Sequence, residues 1–423
     1  MTMRELLQGK TDCACGKAHP CPIESVVIGK DAFDALGRLA EGYSHILLVA
    51  DTNTYAVAGD KTVAALGNRV KEKQIFRRQG LLIPNEEAIA EIEASLTEQT
   101  DLIVGVGSGV INDLCKHVSF KHSLPYFIVA TAPSMDGYAS VGAALILDGM
   151  KVTLNAAVPR AILADTAVLA NAPFEMIQAG YGDIIGKYSC LNDWRLAALV
   201  NGEYICDFVV SETYAQVEKT VALAEGIKAR SPEAIGALME ALVAVGILMA
   251  YVGNSRPASG SEHHLSHYFE IVGILRNEPY LSHGIDVCHS AVLTAALRHG
   301  LAALESIDGL TSHHNPSVYQ EDIRRIYGAI AEEIFALQDK LGWYGADRVS
   351  LYKEKWQDIR ALLADSPTAE EMRALCARVG LSHEDFLAFY DEGKRRDALL
   401  YAKDLKDRYS VLWLHYDLFA KKA

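Results

Sequence analysis

DLIVGVGSGVINDLCKHV, residues 101–118, passes from a continuous apolar run through a glycine-rich turn, Gly105 to Gly109, into a helical pattern. An apolar run with no polar alternation suits a parallel strand buried on both faces, and glycines at its end let a helix begin at once. The same alternation recurs on either side. SHILLVADTNTY (44–55) reads as a strand ending at Asp51, with a second strand at 74–76. NEEAIAEIEASL (85–96) reads as a helix capped by Asn85, with Glu86 and Glu87 at the positive end of its dipole. PYFIVATAPS (125–134) is the strand after the glycine turn, and VPRAILADTAVLANAP (158–173) supplies the last. Strand alternating with helix predicts an α/β domain built on an open parallel sheet.

Several residues of this half read as ligand contacts. Glycines at a strand-to-helix turn let backbone approach a pyrophosphate, whose charge the exposed N–H groups at the helix start offset. The turn follows a third strand rather than the first, which departs from the usual dinucleotide fingerprint. Asp51, at the carboxyl end of its strand, is placed either to accept from a ribose hydroxyl or to cap a helix. SMDGYASVGAAL (134–145) reads as a loop, and with Thr131 it puts Ser134, Asp136 and Ser140 at the carboxyl edge of the sheet, where open α/β folds bind ligands.

Beyond about residue 174 strand patterns fade, and Pro173 marks the expected boundary between an α/β domain (1–173) and an all-α domain (174–423). EAIGALMEALVAVGILMAYV (233–252) and VCHSAVLTAALRHGLAAL (287–304) keep apolar residues at helical spacing with small residues interleaved, the pattern of closely packed helices. The tail from about 316 is charged and amphipathic and reads as surface helices. A chain of 423 residues, 50% of them hydrophobic, has enough apolar content for two cores. A net charge of −14 argues against a nucleic-acid partner, which requires a basic face. The N-terminus carries no apolar signal region, and the longest uncharged apolar run, 241–252, falls far short of a membrane span. A soluble cytoplasmic protein without membrane contact is expected. The eight cysteines read as reduced thiols. Within DCACGKAHPC (12–21), Cys13, Cys15, His19 and Cys21 are ligand types suited to a soft metal, but their spacing is tighter than in C-x2-C sites, and a terminal hairpin with buried thiols is the preferred reading.

SRPASGSEHHLSHYFEIVGILRNEPYLSHGID (255–286) concentrates imidazoles. On a helix starting near Gly260, His263 and His267 share one face and His264 points away, while His283 follows a short break at a helix entry or turn. Two imidazoles on one face can hold one metal, or one can bind metal while the other serves a substrate. Asp183 in GYGDIIGKY (180–188) is the acidic partner, with Lys187 one helical turn later. Three protein ligands leave an open coordination position, which catalysis needs, and imidazole with carboxylate suits zinc, nickel or iron.

GVGSGVIND, TAPSMDGYAS, GYGDIIGKYS and SRPASGSEHHLSH together resemble the dehydroquinate synthase and iron-containing alcohol dehydrogenase superfamily, most closely its glycerol-1-phosphate dehydrogenases, over roughly residues 12–300. The resemblance implies a dehydroquinate synthase-like fold, with NAD(P) on Gly107, Ser108, Gly109, Val110 and Asp113, further contacts from Thr131, Ser134 and Ser140, and Asp51 near the adenosine ribose. It implies one divalent metal, zinc foremost with nickel or iron as alternatives, on Asp183, His263 and His283. Substrate falls to Asp136, Asp183 and His267, with Lys187 and Arg256 for its phosphate. Iron-type alcohol dehydrogenases carry a histidine ligand where this chain has Lys187, and dehydroquinate synthases carry glutamate where it has Asp183. The implied reaction is reversible hydride transfer between NAD(P)H and dihydroxyacetone phosphate, giving glycerol 1-phosphate, in a homo-oligomer of two or more subunits. A polyol or alcohol dehydrogenase, a cyclase of this architecture, and a non-catalytic nucleotide or metal sensor are the alternatives.

Overall fold

The computed structural model describes residues 1–147, 150–311 and 314–420. The chain divides into two compact units. The first comprises Met1–Ile184 and Ser211–Ser255, and the second Ile185–Val210 and Arg256–Ala423. Where the sequence places a boundary at Pro173, the first unit keeps the next eleven residues and takes back 211–255.

In the first unit, β1 (Ser25–Ile28), β2 (Ile46–Asp51), β3 (Val70–Phe76), β4 (Leu102–Gly107), β5 (Tyr126–Ala130) and β8 (Ala161–Ala164) form a parallel sheet in the order β1-β8-β5-β4-β2-β3. The uninterrupted apolar runs are its centre: every residue of β4 and β5 is buried, as is β2 up to Ala50. The chain moves outward from β2 to β3 on one side and from β4 to β5 on the other. The topological switch therefore falls between β2 and β4, whose carboxyl ends are Asp51 and Gly107, with Ala50 registered against Val106.

Two strand features differ from the sequence reading. β1 is a four-residue, half-buried edge strand too short to stand out as a periodic pattern. Much of the expected loop after Ser140 is instead an antiparallel hairpin of β6 (Gly142–Leu147) and β7 (Met150–Asn155). Its alternating burial on β6 shows a strand with only one face covered, which the small residues GAA disguise.

Helices α1 (Gly109–His122) and α2 (Phe174–Ile185) follow β4 and β8 in the chain. Gly180 brings α2 against the end of β5's loop: a Cβ there would lie 1.8 Å from the Pro133 carbonyl oxygen. α3 (Lys187–Asn201) begins after a break at Gly186, so Asp183 and Lys187 stand on different helices rather than on one continuous turn. α4 (Pro232–Val252), capped by Ser231 with Pro232 in its first turn, packs on the Gly137–Ala139 turn. With Glu233 and Glu240 included it is long and apolar enough to cross a membrane by length and composition, but 78% of its most apolar window is buried inside the protein.

The second unit is helical throughout its described residues. α5 (Ser261–Arg276) and α6 (His283–Ala302) pack on each other and build one core with Ile323, Ile326 and Tyr327. The tail corrects the expectation of surface helices. Helix α7 (Val411–Phe419) is buried, with Leu412 in the core of α5 and with Val411, Trp413 and Leu414 in a second core around Leu196 and Trp356. A helix held between two cores buries side chains on more than one face, and the charged residues preceding VLWL hide this in the sequence. The stretch at 348–363 is one-sided as expected, burying Val349, Tyr352, Trp356, Ile359 and Leu363.

The close approach at Gly180 supplies a test. Gly180→Ala forces α2 away from a backbone carbonyl, and chemical denaturation is expected to show a loss of about 3 kcal/mol; unchanged stability would contradict this packing.

Candidate active site

In the first unit the switch point carries the residues read as nucleotide contacts. Ser108 caps α1 with its backbone alone, so the helix start presents N–H groups that its side chain does not consume. Gly107 makes the turn possible, because a Cβ there would come 2.5 Å from Cβ of Ile111. Asp51 does act as a helix cap: its Oδ1 accepts from the N–H groups of Asn53 (2.8 Å) and Thr54 (2.9 Å). Both of these bonds fall on one oxygen.

Sequence reasoning missed the residue that organises this edge. Lys116 on α1 is fully buried and donates to the carbonyls of Gly137 (2.7 Å) and Gly142 (2.9 Å) and to Oγ of Ser140 (3.2 Å). Burial pushes its pKa down to about 8, against the opposing pull of Asp113 and Asp136. Asp113 in turn accepts from the N–H of Ala144 (3.3 Å), which joins the hairpin to α1. Two expected cofactor contacts, Asp113 and Ser140, thus belong to one lysine-centred network. The signal available was a lysine set among Leu114, Cys115 and Val118 on the buried part of this helix. Asp183, buried on α2, accepts from the backbone N–H of Asp136 (2.9 Å), a bond that ties the loop after β5 to this helix.

In the second unit the histidines converge as expected. The ring centroids of His263 and His283 lie 5.1 Å apart, those of His267 and His283 5.5 Å, and those of His263 and His267 6.2 Å. The helix begins at Ser261 after Gly260, and His283 opens α6. His264 is turned into the interior, where burial and then the charges of Arg408, Lys406 and Arg256 hold its pKa well below the ordinary value.

Glu262, a second residue missed, fixes the orientation of His263: its Oε1 accepts from Nδ1–H of His263 (2.7 Å) and from the Gly260 N–H (2.9 Å). Burial opposes ionisation of Glu262, but the bonds from His263, Ser189 and Gly260 outweigh it and lower its pKa. Ser266 plays the same part for His283, lying 3.3 Å from its Nδ1 and 3.3 Å from its carbonyl oxygen. Nδ1 of His263 thus rests on a carboxylate and Nδ1 of His283 beside a hydroxyl that can accept from it, the outer support found around metal-ligating histidines.

The two cationic residues expected at a substrate phosphate are both engaged. Lys187 is buried and donates to the Ala258 carbonyl (3.0 Å). Arg256 forms a two-point ion pair with Glu203, its Nε at 2.6 Å, and donates to the Tyr409 carbonyl (2.8 Å).

Residues 27–173 match the family described as iron-containing alcohol dehydrogenase. The glycerol-1-phosphate dehydrogenase [NAD(P)+] of Halalkalibacterium halodurans is 35% identical over 68% of this chain and 74% of its own length. That of Geobacillus stearothermophilus is 31% identical over 90% of this chain and 89% of its own. The chain belongs to the glycerol-1-phosphate dehydrogenase family. An iron-containing alcohol dehydrogenase from Corynebacterium glutamicum shares the fold with a TM-score of 0.59 at 17% identity, covering 93% of this chain and 91% of that one.

In this chain a buried carboxylate ties together the helices that carry the histidine pair. Asp193 on α3 receives the Ser261 N–H (2.7 Å), the Arg298 guanidinium from α6 (2.9 Å) and the Val411 N–H (2.9 Å). Asp193→Ala strands the Arg298 charge, and calorimetry is expected to show a loss of about 4 kcal/mol.

Lys116→Met tests the first unit. Its loss removes the bonds to two carbonyls and a hydroxyl that hold the segment after β5 on α1, at about 3 kcal/mol near neutral pH. Because the folded pKa of about 8 lies below the ordinary 10.5, the unfolded chain binds this proton more tightly. Wild-type stability therefore rises relative to the variant between these pH values, and a gap that narrows with rising pH would contradict the lysine's burial.

Proposed function

We propose that the protein is a metal-dependent sn-glycerol-1-phosphate dehydrogenase, transferring hydride reversibly between NAD(P)H and dihydroxyacetone phosphate. The observation that carries the reading is the pair of carboxylate- and hydroxyl-oriented imidazoles, His263 and His283, in a chain of this family. We assign the metal to these two and to Asp183, a set of one carboxylate oxygen and two imidazole nitrogens. The donors fit a divalent ion, with zinc favoured over nickel or iron. Glu262 and Ser266 fit that assignment independently: the carboxylate sets the tautomer a metal requires at His263, and the hydroxyl can support the same one at His283.

When bound, the metal supplies Lewis acidity to the ketone oxygen and the nicotinamide supplies hydride. The protein's part is to bind and orient. The α1 start at Ser108, Gly109 and Val110 takes the pyrophosphate on backbone N–H groups, with Asp113, Thr131, Ser134 and Ser140 adding contacts and Asp51 reaching a ribose hydroxyl through its second oxygen. Asp136 and His267 hold the substrate, and His267 hands the proton to the carbonyl oxygen as it becomes an alkoxide. Lys187 is the proposed phosphate contact, with Arg256 contributing positive charge while it remains paired to Glu203. We place the enzyme in the cytoplasm as a homo-oligomer.

Steady NADH or NADPH oxidation with dihydroxyacetone phosphate, and little with unphosphorylated dihydroxyacetone, is the expected result; equal rates would turn the reading toward a polyol dehydrogenase. His263→Ala and Asp183→Asn are each expected to lose bound metal and to lower kcat/KM on the order of 1000-fold, the several kcal/mol of a Lewis acid. NAD affinity should stay within a few-fold. Glu262→Gln should weaken metal binding roughly 10- to 100-fold while the ligands remain. Normal turnover in either ligand variant would refute the assignment.

A further inference from the structure

The N-terminal segment of the first unit carries a second set of soft ligands that the dehydrogenase chemistry does not use. Residues 10–19 form a closed loop: the Lys10 N–H donates to the His19 carbonyl (2.9 Å) and the His19 N–H donates back to Lys10 (2.7 Å). A turn closed by the Gly16 N–H on the Cys13 carbonyl (3.0 Å) folds the cysteines within this loop. Sγ of Cys13, Sγ of Cys15 and a ring nitrogen of His19 lie within 4.8 Å of one another, and Cys15 Sγ is 3.3 Å from His19 Nε2.

The histidine is not an ordinary surface group. His19 is completely buried, its ring stacked on Tyr251 at 5.5 Å between centroids and 13° between planes. Its Nδ1 lies 2.9 Å from the Tyr251 carbonyl oxygen, which can only accept, so Nδ1 carries the proton and Nε2 turns an electron pair toward the sulfurs. A backbone carbonyl that fixes the far nitrogen of a histidine is the support a ligating imidazole receives. The hairpin also has little apolar material of its own, with Leu6 and Ile23 as its buried side chains between residues 1 and 24 apart from His19. Small segments with so little core are commonly held by a metal or a disulfide, and none of the eight cysteines is in a disulfide.

We propose that Cys13, Cys15 and His19 bind a structural zinc ion that clips the N-terminal hairpin to the end of α4. Two thiolates and one imidazole are the donor types that select zinc over harder cations. Binding replaces the two thiol protons, which leave to solvent as Zn–S bonds form, with no change of oxidation state. The fourth tetrahedral position is open to water or to a ligand from outside the hairpin. His19 and the Tyr251 hydroxyl, which donates to the Leu6 carbonyl, then hold the same helix end from two sides.

The experiment uses the full-length protein and separates this ion from the one proposed for the active site. His263→Ala/His283→Ala, which removes two of the proposed active-site ligands, should still retain one zinc per chain by elemental mass spectrometry. When reconstituted with cobalt it should show near-ultraviolet thiolate-to-cobalt charge-transfer absorption. Cys13→Ser/Cys15→Ser should lose one zinc per chain and that absorption while still binding NAD(P). Should either variant fail to fold, the wild-type protein decides: a mercurial titrating its thiols should release one zinc per chain. No zinc release from the wild type, or a histidine double variant that folds with no zinc and no thiolate absorption, overturns the proposal.

Discussion

The second unit turns on one buried carboxylate. Asp193 accepts from the backbone at the first residue of α5 and at the first residue of α7, and it pairs with Arg298 of α6. Arg298 extends the network to Ser189, Asn192 and the Ser261 hydroxyl. One ion pair thereby fixes four helices, including the two that carry the histidines. A buried pair of this kind adds little net stability over an apolar substitute, but either charge alone is costly, so the arrangement selects one geometry. Metal chemistry needs that kind of constraint, because ligand positions must hold to fractions of an ångström.

The first unit has its counterpart in Lys116. Its ammonium binds two carbonyls and a hydroxyl of the segment between β5 and β6, which holds that segment against the start of α1. The carboxyl edge of the sheet thus becomes a fixed surface rather than a mobile loop. The depressed pKa of Lys116 measures the cost of placing a charge there. In both units a buried ionic group places the residues assigned to ligands without belonging to the ligand set.

The parts that the sequence made legible are those governed by local rules. β2, β4 and β5 are continuous apolar runs, Asn85 caps its helix by accepting from Ala88, and α5 starts after Gly260 with His263 and His267 on one side. β1 was missed because four residues carry no period, and the β6–β7 hairpin because its small residues resemble a loop. α7 was misjudged because its burial depends on two cores contributed by residues far away in the chain. Glu262 and Lys116 stayed invisible for the same reason: their roles lie in the partners they meet, not in their neighbours in sequence.

By itself the sequence determined the α/β-then-helical order, the glycine turn at 105–109, and the residue types available for metal and nucleotide, because periodicity and side-chain chemistry are properties of short stretches. Only the tertiary structure decided that Asp51 caps a helix, that Arg256 is bound to Glu203, that His264 is buried away from its neighbours' site, and that His19 faces two thiols with its tautomer set by Tyr251. Each of these depends on burial and on partners distant in the chain, which remove or supply the solvent and hydrogen bonds that set a side chain's charge and direction.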